Sequence, residues 1–295
     1  MSISTFQLWN RSFGWGVFSV ALLTYMLTVE PTASFWDAGE YIATAAKLQV
    51  GHPPGAPLFQ MIGAFFALFA TSSENIALMV NHMSVFSSAF TILFLFWTLT
   101  LLMKKLPAFE TLDNTAERLT FFGSAAVGAL AFCFSDSFWF NAVEAEVYAM
   151  ATFLLSLLFW LGLRWEEDML NPRGDRWLVM IAFVIGLSFG VHFMGLLPLP
   201  AIGMLYYFKR YQKITLKGFL IANTVSVAVL LFIFKLLLPT TLAFFGKAEV
   251  YFVNTIGLPF NSGTVIAALA LIALFYNALK VTRKQGWVKV NTALL

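Results

Sequence analysis

Charge is what this sequence has least of. Asp, Glu, Lys and Arg together make up 11% of its 295 residues, against about 25% in an ordinary soluble domain. Cysteine is nearly absent as well. The single Cys133 lies in an apolar run, which excludes an internal disulfide and a cysteine metal site. No HExxH, P-loop or GxSxG pattern occurs, so zinc-protease, nucleotide-phosphate and serine-hydrolase chemistry have no support. No internal repeat or low-complexity linker divides the chain. The net charge of +3 is too small to point to nucleic acid.

What fills the sequence is apolar surface. Hydrophobic residues reach 60%, Phe alone counts 33, and mean hydropathy is +0.80. These values describe an all-α integral membrane protein, read as a single polytopic domain over 1–295. A spanning helix needs about 20 mostly apolar residues. Such runs lie near 12–29, 76–103, 119–135, 143–163, 177–193, 194–208, 215–238 and 263–282. A shorter piece, 57–70, follows a cluster of prolines.

Basic residues set the expected orientation, because short cytoplasmic loops carry excess Lys and Arg. If 57–70 does not cross and the other segments do, four clusters fall on the side of Arg11. They are Lys104/Lys105/Arg118, Arg164/Arg173/Arg176, Lys209/Arg210/Lys213/Lys217 and Lys280/Arg283/Lys284/Lys289. Only Lys47, Lys235 and Lys247 of the 18 basic residues are left over. The expectation is about eight spans with both ends of the chain cytoplasmic. The first outer loop, 30–75, then holds a pair of helices at the outer interface, and Asp37, Glu40, His52, Asp136, Glu144, Glu146 and His192 share that face.

The loop sequence "TASFWDAGEYIATAAKLQVGHPPGAP" concentrates acids, a lysine and a histidine beside the membrane. Ser34 is placed to cap a helix over 34–48, with Asp37 three residues on as in a capping box. Asp37, Glu40, Thr44 and Lys47 are spaced to share one face, and Phe35, Ile42, Ala45 and Ala46 to cover the rest. Two readings stay open for that face: a solvated stripe of a surface helix, or a proton-transfer site near a lipid substrate. The prolines after His52 hold it at a rigid corner.

"SDSFWFNAVEAEVY" adds Asp136, Asn141, Glu144, Glu146 and Tyr148. On a helix, acids two residues apart do not share a face, so one of Glu144 and Glu146 is expected to point into a site. "GLSFGVHFMGLLPLP" places His192 at a turn between closely spaced spans, where an ionisable group is either a functional candidate or a satisfied polar contact. His82, one turn into the second span, reads as a packing contact.

These three stretches resemble a known family. "WDAGEYIATAAKLQVGHPPGAPLFQMIG" is similar to the D-x-G-E-x-x-x-A-A…H-P-P-G-x-P-L pattern in the first outer loop of a protein O-mannosyltransferase-like membrane protein family of the GT-C glycosyltransferase superfamily. "FWFNAVEAEVYAM" and "GLSFGVHFMGLLPL" resemble its second and third signatures. Phe35-Trp36 replaces the more usual Gly-rich lead-in, and the resemblance covers about residues 10–210. It implies a GT-C-like bundle that transfers a sugar, such as mannose, from a polyprenyl-phosphate donor to a protein Ser/Thr hydroxyl at the extracytoplasmic face.

Carried onto this sequence, Asp37 becomes the general base and Glu40 its partner or the acceptor's guide. Lys47, His52, Asn141, Glu144, Glu146, Tyr148 and His192 become donor- or acceptor-binding groups. No metal or other cofactor is nominated. Family members continue well beyond this length, so this chain reads as the N-terminal part of a longer protein, "NTALL" resembling the start of a further span. The rivals are a transporter or flippase of lipid-linked sugars, whose ionisable groups usually sit nearer mid-bilayer, and a non-catalytic subunit with the same fold.

Overall fold

The structure, a computed structural model, describes residues 3–53, 55–109, 111–171, 173–287 and 290–291. Pro54 of the proline corner, Lys289 of the last basic cluster and the terminal 292–295 stretch lie outside the described residues. Every element is helical among those described: α1 (Ile3–Leu27), α2 (Ala38–Ala46), α3 (Pro57–Ala67), α4 (Ile76–Met103), α5 (Thr115–Cys133), α6 (Asp136–Ala142), α7 (Val147–Asp168), α8 (Arg176–Ser188), α9 (Leu199–Arg210), α10 (Leu216–Phe232), α11 (Leu238–Val250) and α12 (Ser262–Lys284).

By length and composition, four helices can cross a membrane: Ser73–Met103, Val147–Asp168, Leu216–Thr255 and Ser262–Lys284. The pair α5–α6, bent by 71°, makes a fifth if it is one span. The remaining expected spans look different in the structure. α1 has the length, 25 residues, but Asn10 and Arg11 lower its apolarity. Segments 177–193 and 194–208 appear as the 13-residue α8, a 3-10 turn at Phe193–Leu196 and the 12-residue α9. The segment at 215–238 does not stop there. It runs on through Lys235 and Lys247 as a 40-residue helix, with π-helical turns at Ile233–Leu237 and Tyr251–Thr255. The piece at 57–70 is the short helix α3, as expected.

The chain divides into two compact units. One comprises Met1–Asn171 with Met180–Pro198, the other Pro172–Val179 with Leu199–Leu295. In the second, α9 packs on α10, where Ser226 occupies the space a side chain on Gly203 would need, and α11 packs on α12.

The first unit carries the packed core. α4 runs through its middle against α1, α5 and α7. Lipid tails are as apolar as the side chains, so helices in a membrane associate by close packing rather than by a hydrophobic drive. The core fits that demand. Ala21, Ala89, Ala125 and Ala129 let backbones approach, while Val85, Ile92, Phe96, Phe121 and Phe122 fill the volume between them. Tyr25 is buried there and donates its hydroxyl to the Cys133 carbonyl at 2.8 Å.

The two ends of this unit differ in chemistry. At one end, where α4 and α7 finish and α1 begins, Lys105 pairs with Glu166, Lys104 with Glu167 at 3.5 Å, and Lys104 also sits over the Phe6 ring. The opposite end gathers the end of α1, the start of α4, α6, the start of α7 and the turn after α8. Glu30 N–H donates to the Val143 carbonyl at 3.0 Å and Leu58 N–H to the Gly190 carbonyl at 2.8 Å. The Asn81 amide holds the carbonyls of Glu30 at 2.6 Å and Thr32 at 3.0 Å. The three motif-bearing segments therefore meet at the end remote from the lysine clamp.

Candidate functional site

The site begins with how the first loop is folded. α2 starts later than the sequence suggests. Its N-cap is Asp37, whose side chain makes no capping bond. The expected Ser34–Asp37 capping box is absent because Ser34 donates its hydroxyl to the Glu144 carboxylate instead. A complete capping box does occur elsewhere, at Asn114 and Glu117 ahead of α5. α2 ends in a Schellman turn: Leu48 N–H reaches the Ala45 carbonyl at 3.1 Å and Gln49 N–H the Thr44 carbonyl at 2.8 Å. That turn puts Leu48 at φ +48°, and Trp36 before the helix is at φ +59°. Both are left-handed positions usually left to Gly.

With α2 held this way, Asp37, Glu40 and His52 face one another. The His52 backbone N–H donates to Glu40 Oε1 at 2.6 Å, and its ring Nδ1 lies 3.1 Å from Glu40 Oε2. Its Nε2 lies 3.9 Å from Asp37 Oδ2. The bonds from the backbone N–H first, then the ring, hold the Glu40 carboxyl below the usual carboxylate range. His52 thus stands between two acids.

The rest of the expected wet stripe is different. Thr44 is buried and returns its hydroxyl to the Glu40 carbonyl at 2.7 Å. Lys47 caps the end of α2 and is exposed, as is Ala46. Phe35 and Trp36 are 79% and 87% exposed, and do not cover the helix.

The second motif meets the first loop beside this cluster. α6 ends at Ala142 and α7 begins at Val147, so Glu144 and Glu146 lie between helices. The helical rule that separates their faces does not apply, and both are buried. Glu144 accepts from Ser34, and burial pushes its carboxyl up. Glu146 accepts from the backbone N–H groups of Val147 and Asp37. Burial, and then the charges of Asp37 and Glu144, push it up as well. Asn141 stays within its own helix, donating to the Ser137 carbonyl at 2.8 Å.

The third motif supplies His192, half-buried with its ring 5.5 Å from that of Tyr148. Its Nδ1 accepts from Met194 N–H at 3.2 Å, and burial lowers its pKa. Gly190 allows the close approach. A Cβ there would lie 2.7 Å from that of Leu58. His82 turns its Nδ1 to the Leu78 carbonyl at 2.6 Å, a bond within α4 itself and not the contact between helices expected of it.

The central group that sequence reading missed is Tyr41. It is buried with its ring 5.8 Å from that of His52 and 5.1 Å from that of Phe59. Burial first, then the charges of Glu146, Asp37 and Glu40, push its phenol up to about 12. The signal was present, since Tyr41 follows Asp37 by four residues and so shares its face.

A helical membrane protein with an acid–histidine–acid cluster at one end of an aromatic bundle is the class these features define. Residues 37–215 match the family described as "Protein O-mannosyl-transferase TMEM260 N-terminal domain", and the chain belongs to that family. It is similar to a Dictyostelium discoideum protein named "Protein O-mannosyl-transferase tmem260", at 26% identity over 147 residues, 50% of this chain and 16% of that protein. It is similar also to a Mus musculus protein named "Protein O-mannosyl-transferase TMEM260", at 31% identity over 176 residues, 58% of this chain and 22% of that protein. The matched part of the chain thus spans 16% and 22% of the length of these two relatives. No solved structure matches it.

Proposed function

We propose that the chain carries the membrane-embedded active site of a GT-C-type glycosyltransferase. It moves a sugar, mannose by the names of the relatives, from a polyprenyl-phosphate donor to a protein Ser/Thr hydroxyl at the extracytoplasmic face. In this reading the bundle has about eight spans and cytoplasmic ends. The observation that carries it is the meeting of the three motifs at one end of the first unit, with the exposed Asp37 carboxylate beside the Glu40–His52 pair.

Asp37 is the general base. The acceptor oxygen attacks the anomeric carbon as the bond from that carbon to the phosphate oxygen breaks. The electron pair leaves with the phosphate, and the acceptor proton passes to Asp37. Attack from the face opposite the phosphate inverts the anomeric centre. Glu40 holds His52, and His52 faces Asp37 and positions it. Tyr41, protonated in this setting, is a hydrogen-bond donor, and His192 and Tyr148 form the wall toward the donor.

The test is purified protein in vesicles with radiolabelled polyprenyl-phosphate mannose and candidate acceptor proteins. Label appearing on protein is the expected result. Labelled lipid crossing the vesicle without transfer would overturn the transferase reading in favour of a flippase.

A further inference from the structure

We propose that Asp37, Glu40 and His52 hold a divalent cation. One ligand atom from each lies within 4.8 Å of the others. Ligands around one ion at 2.0–2.6 Å stand roughly 3–5 Å apart, so the three atoms already have the required spread. They come from a fixed frame. The Schellman turn and the His52 backbone bond to Glu40 tie the corner to α2.

A second observation points to the same place. Gln60 on α3 is 4% exposed, and neither atom of its amide has a hydrogen-bond partner. Buried amides are rarely left so. A Cβ on Gly51 would lie 3.1 Å from Glu40 Oε1 and 3.6 Å from Gln60 Nε2. Carboxylate and amide therefore border one small space beside Gly51, where a water on the cation would find polar partners.

Charge balance gives the cation a role, and that role rests on the transferase reading. Asp37, Glu40, Glu144 and Glu146 gather at this end. Among the described residues their ion pairs are with His52 alone. A phosphate-linked donor is itself an anion and would be repelled. A divalent ion on the two exposed acids cancels their charge, and its open positions accept a phosphate oxygen. Two carboxylates with one imidazole suit Mn2+ and related ions.

The experiment uses the purified full chain in nanodiscs, stripped with chelator and titrated with Mn2+. The expected result is one saturable Mn2+ per chain, with pulsed EPR showing a directly bound nitrogen. Glu40→Gln, Asp37→Asn and His52→Gln should each weaken binding at least tenfold, and His52→Gln should remove the nitrogen signal. Glu74→Gln, at another exposed acid in the same loop, should change neither. Wild-type protein without saturable Mn2+ or without a nitrogen signal overturns the site, whatever the variants do. Binding equal in all four variants also overturns it. Protein that binds Mn2+ as expected but transfers no sugar overturns the transferase reading and leaves the site standing. Full transfer by metal-free protein overturns the cation's role.

Discussion

The hydroxyl of Ser34 is hydrogen-bonded to the carboxylate of Glu144, 110 residues away in sequence. This bond ties the first loop to the second directly ahead of Asp37. Glu144 is 2% exposed, and removing the partner of a buried acceptor costs about 1–3 kcal/mol. Ser34→Ala should therefore lower the melting temperature in detergent by that equivalent while leaving α2 formed. Glu144→Ala removes the acceptor of that bond. The double variant should lose less than the sum of the two single losses, because the pair interacts. Additive losses would show that the bond contributes nothing.

That bond also marks the limit of what a sequence displays. The apolar runs of α4, α7 and α12 follow from local composition, and the motifs at 36–63, 138–150 and 186–199 mark the segments that meet. The partner of Ser34 does not, because a serine three residues before an acid looks the same whether it caps a helix or crosses to another loop. Glu144 and Glu146 are both buried against the first loop, since the chain between α6 and α7 is not helical and Ser34, Glu30 and Asp37 bond to it there. Lys235 and Lys247 fell outside the basic clusters, and the span expected over 215–238 continues past both through two π-helical turns.

Leu48 is held at φ +48° with its side chain 67% exposed. A left-handed non-Gly residue costs about 1–2 kcal/mol, and Gly gives back about 0.4–1 kcal/mol through unfolded-chain entropy. Leu48→Gly should raise stability by a net amount of up to about 1 kcal/mol. Leu48→Ala keeps the strain and should not. Equal melting temperatures for the two variants would show that the exposed side chain, not the backbone, matters there.

His192 gives a pH dependence. Burial lowers its folded pKa below the ordinary value of 6.5, and protonation would also remove the lone pair that accepts from Met194 N–H. The unfolded chain therefore binds the proton first. The stability His192 contributes is present above pH 6.5 and is lost as pH falls from there through the lowered folded value. Melting temperatures should decline on acidification below pH 6.5, and His192→Gln should decline less. The same slope in both proteins would assign the effect to other groups.

Orientation can be read from two positions in the first unit. Ser137 on α6 and Asn171 after α7 are both exposed, at opposite ends of the α7 region. With Cys133 replaced by Ala, a cysteine at 137 should react in intact cells with a membrane-impermeant thiol reagent, and one at 171 should not. The reverse pattern would put the acid–histidine cluster on the cytoplasmic side, where the proposed acceptor chemistry does not belong.

Asp37 carries the sharpest test, because its structural duties are small. It is the N-cap of α2 but makes no side-chain capping bond. Its carboxylate is 57% exposed and stands 3.9 Å from His52. The bond that ties it to Glu146 uses its backbone N–H, which Asn retains. Asp37→Asn keeps the volume and loses the charge and the ability to take a proton. A residue that served only the fold should then show near-normal transfer. A general base contributes typically about 10²–10⁴-fold in rate, or roughly 3–5 kcal/mol of barrier at about 1.36 kcal/mol per tenfold. Asp37→Asn should therefore insert and melt like the wild type and lose at least about a hundredfold in transfer rate. Turnover is to be measured with saturating Mn2+, so that weaker cation binding by this variant is not read as lost base catalysis. Retention of more than about a tenth of wild-type turnover under those conditions would remove Asp37 from the base role. Glu146 is the next candidate, since burial and its neighbours raise its pKa and give the carboxylate more appetite for a proton than an exposed acid has.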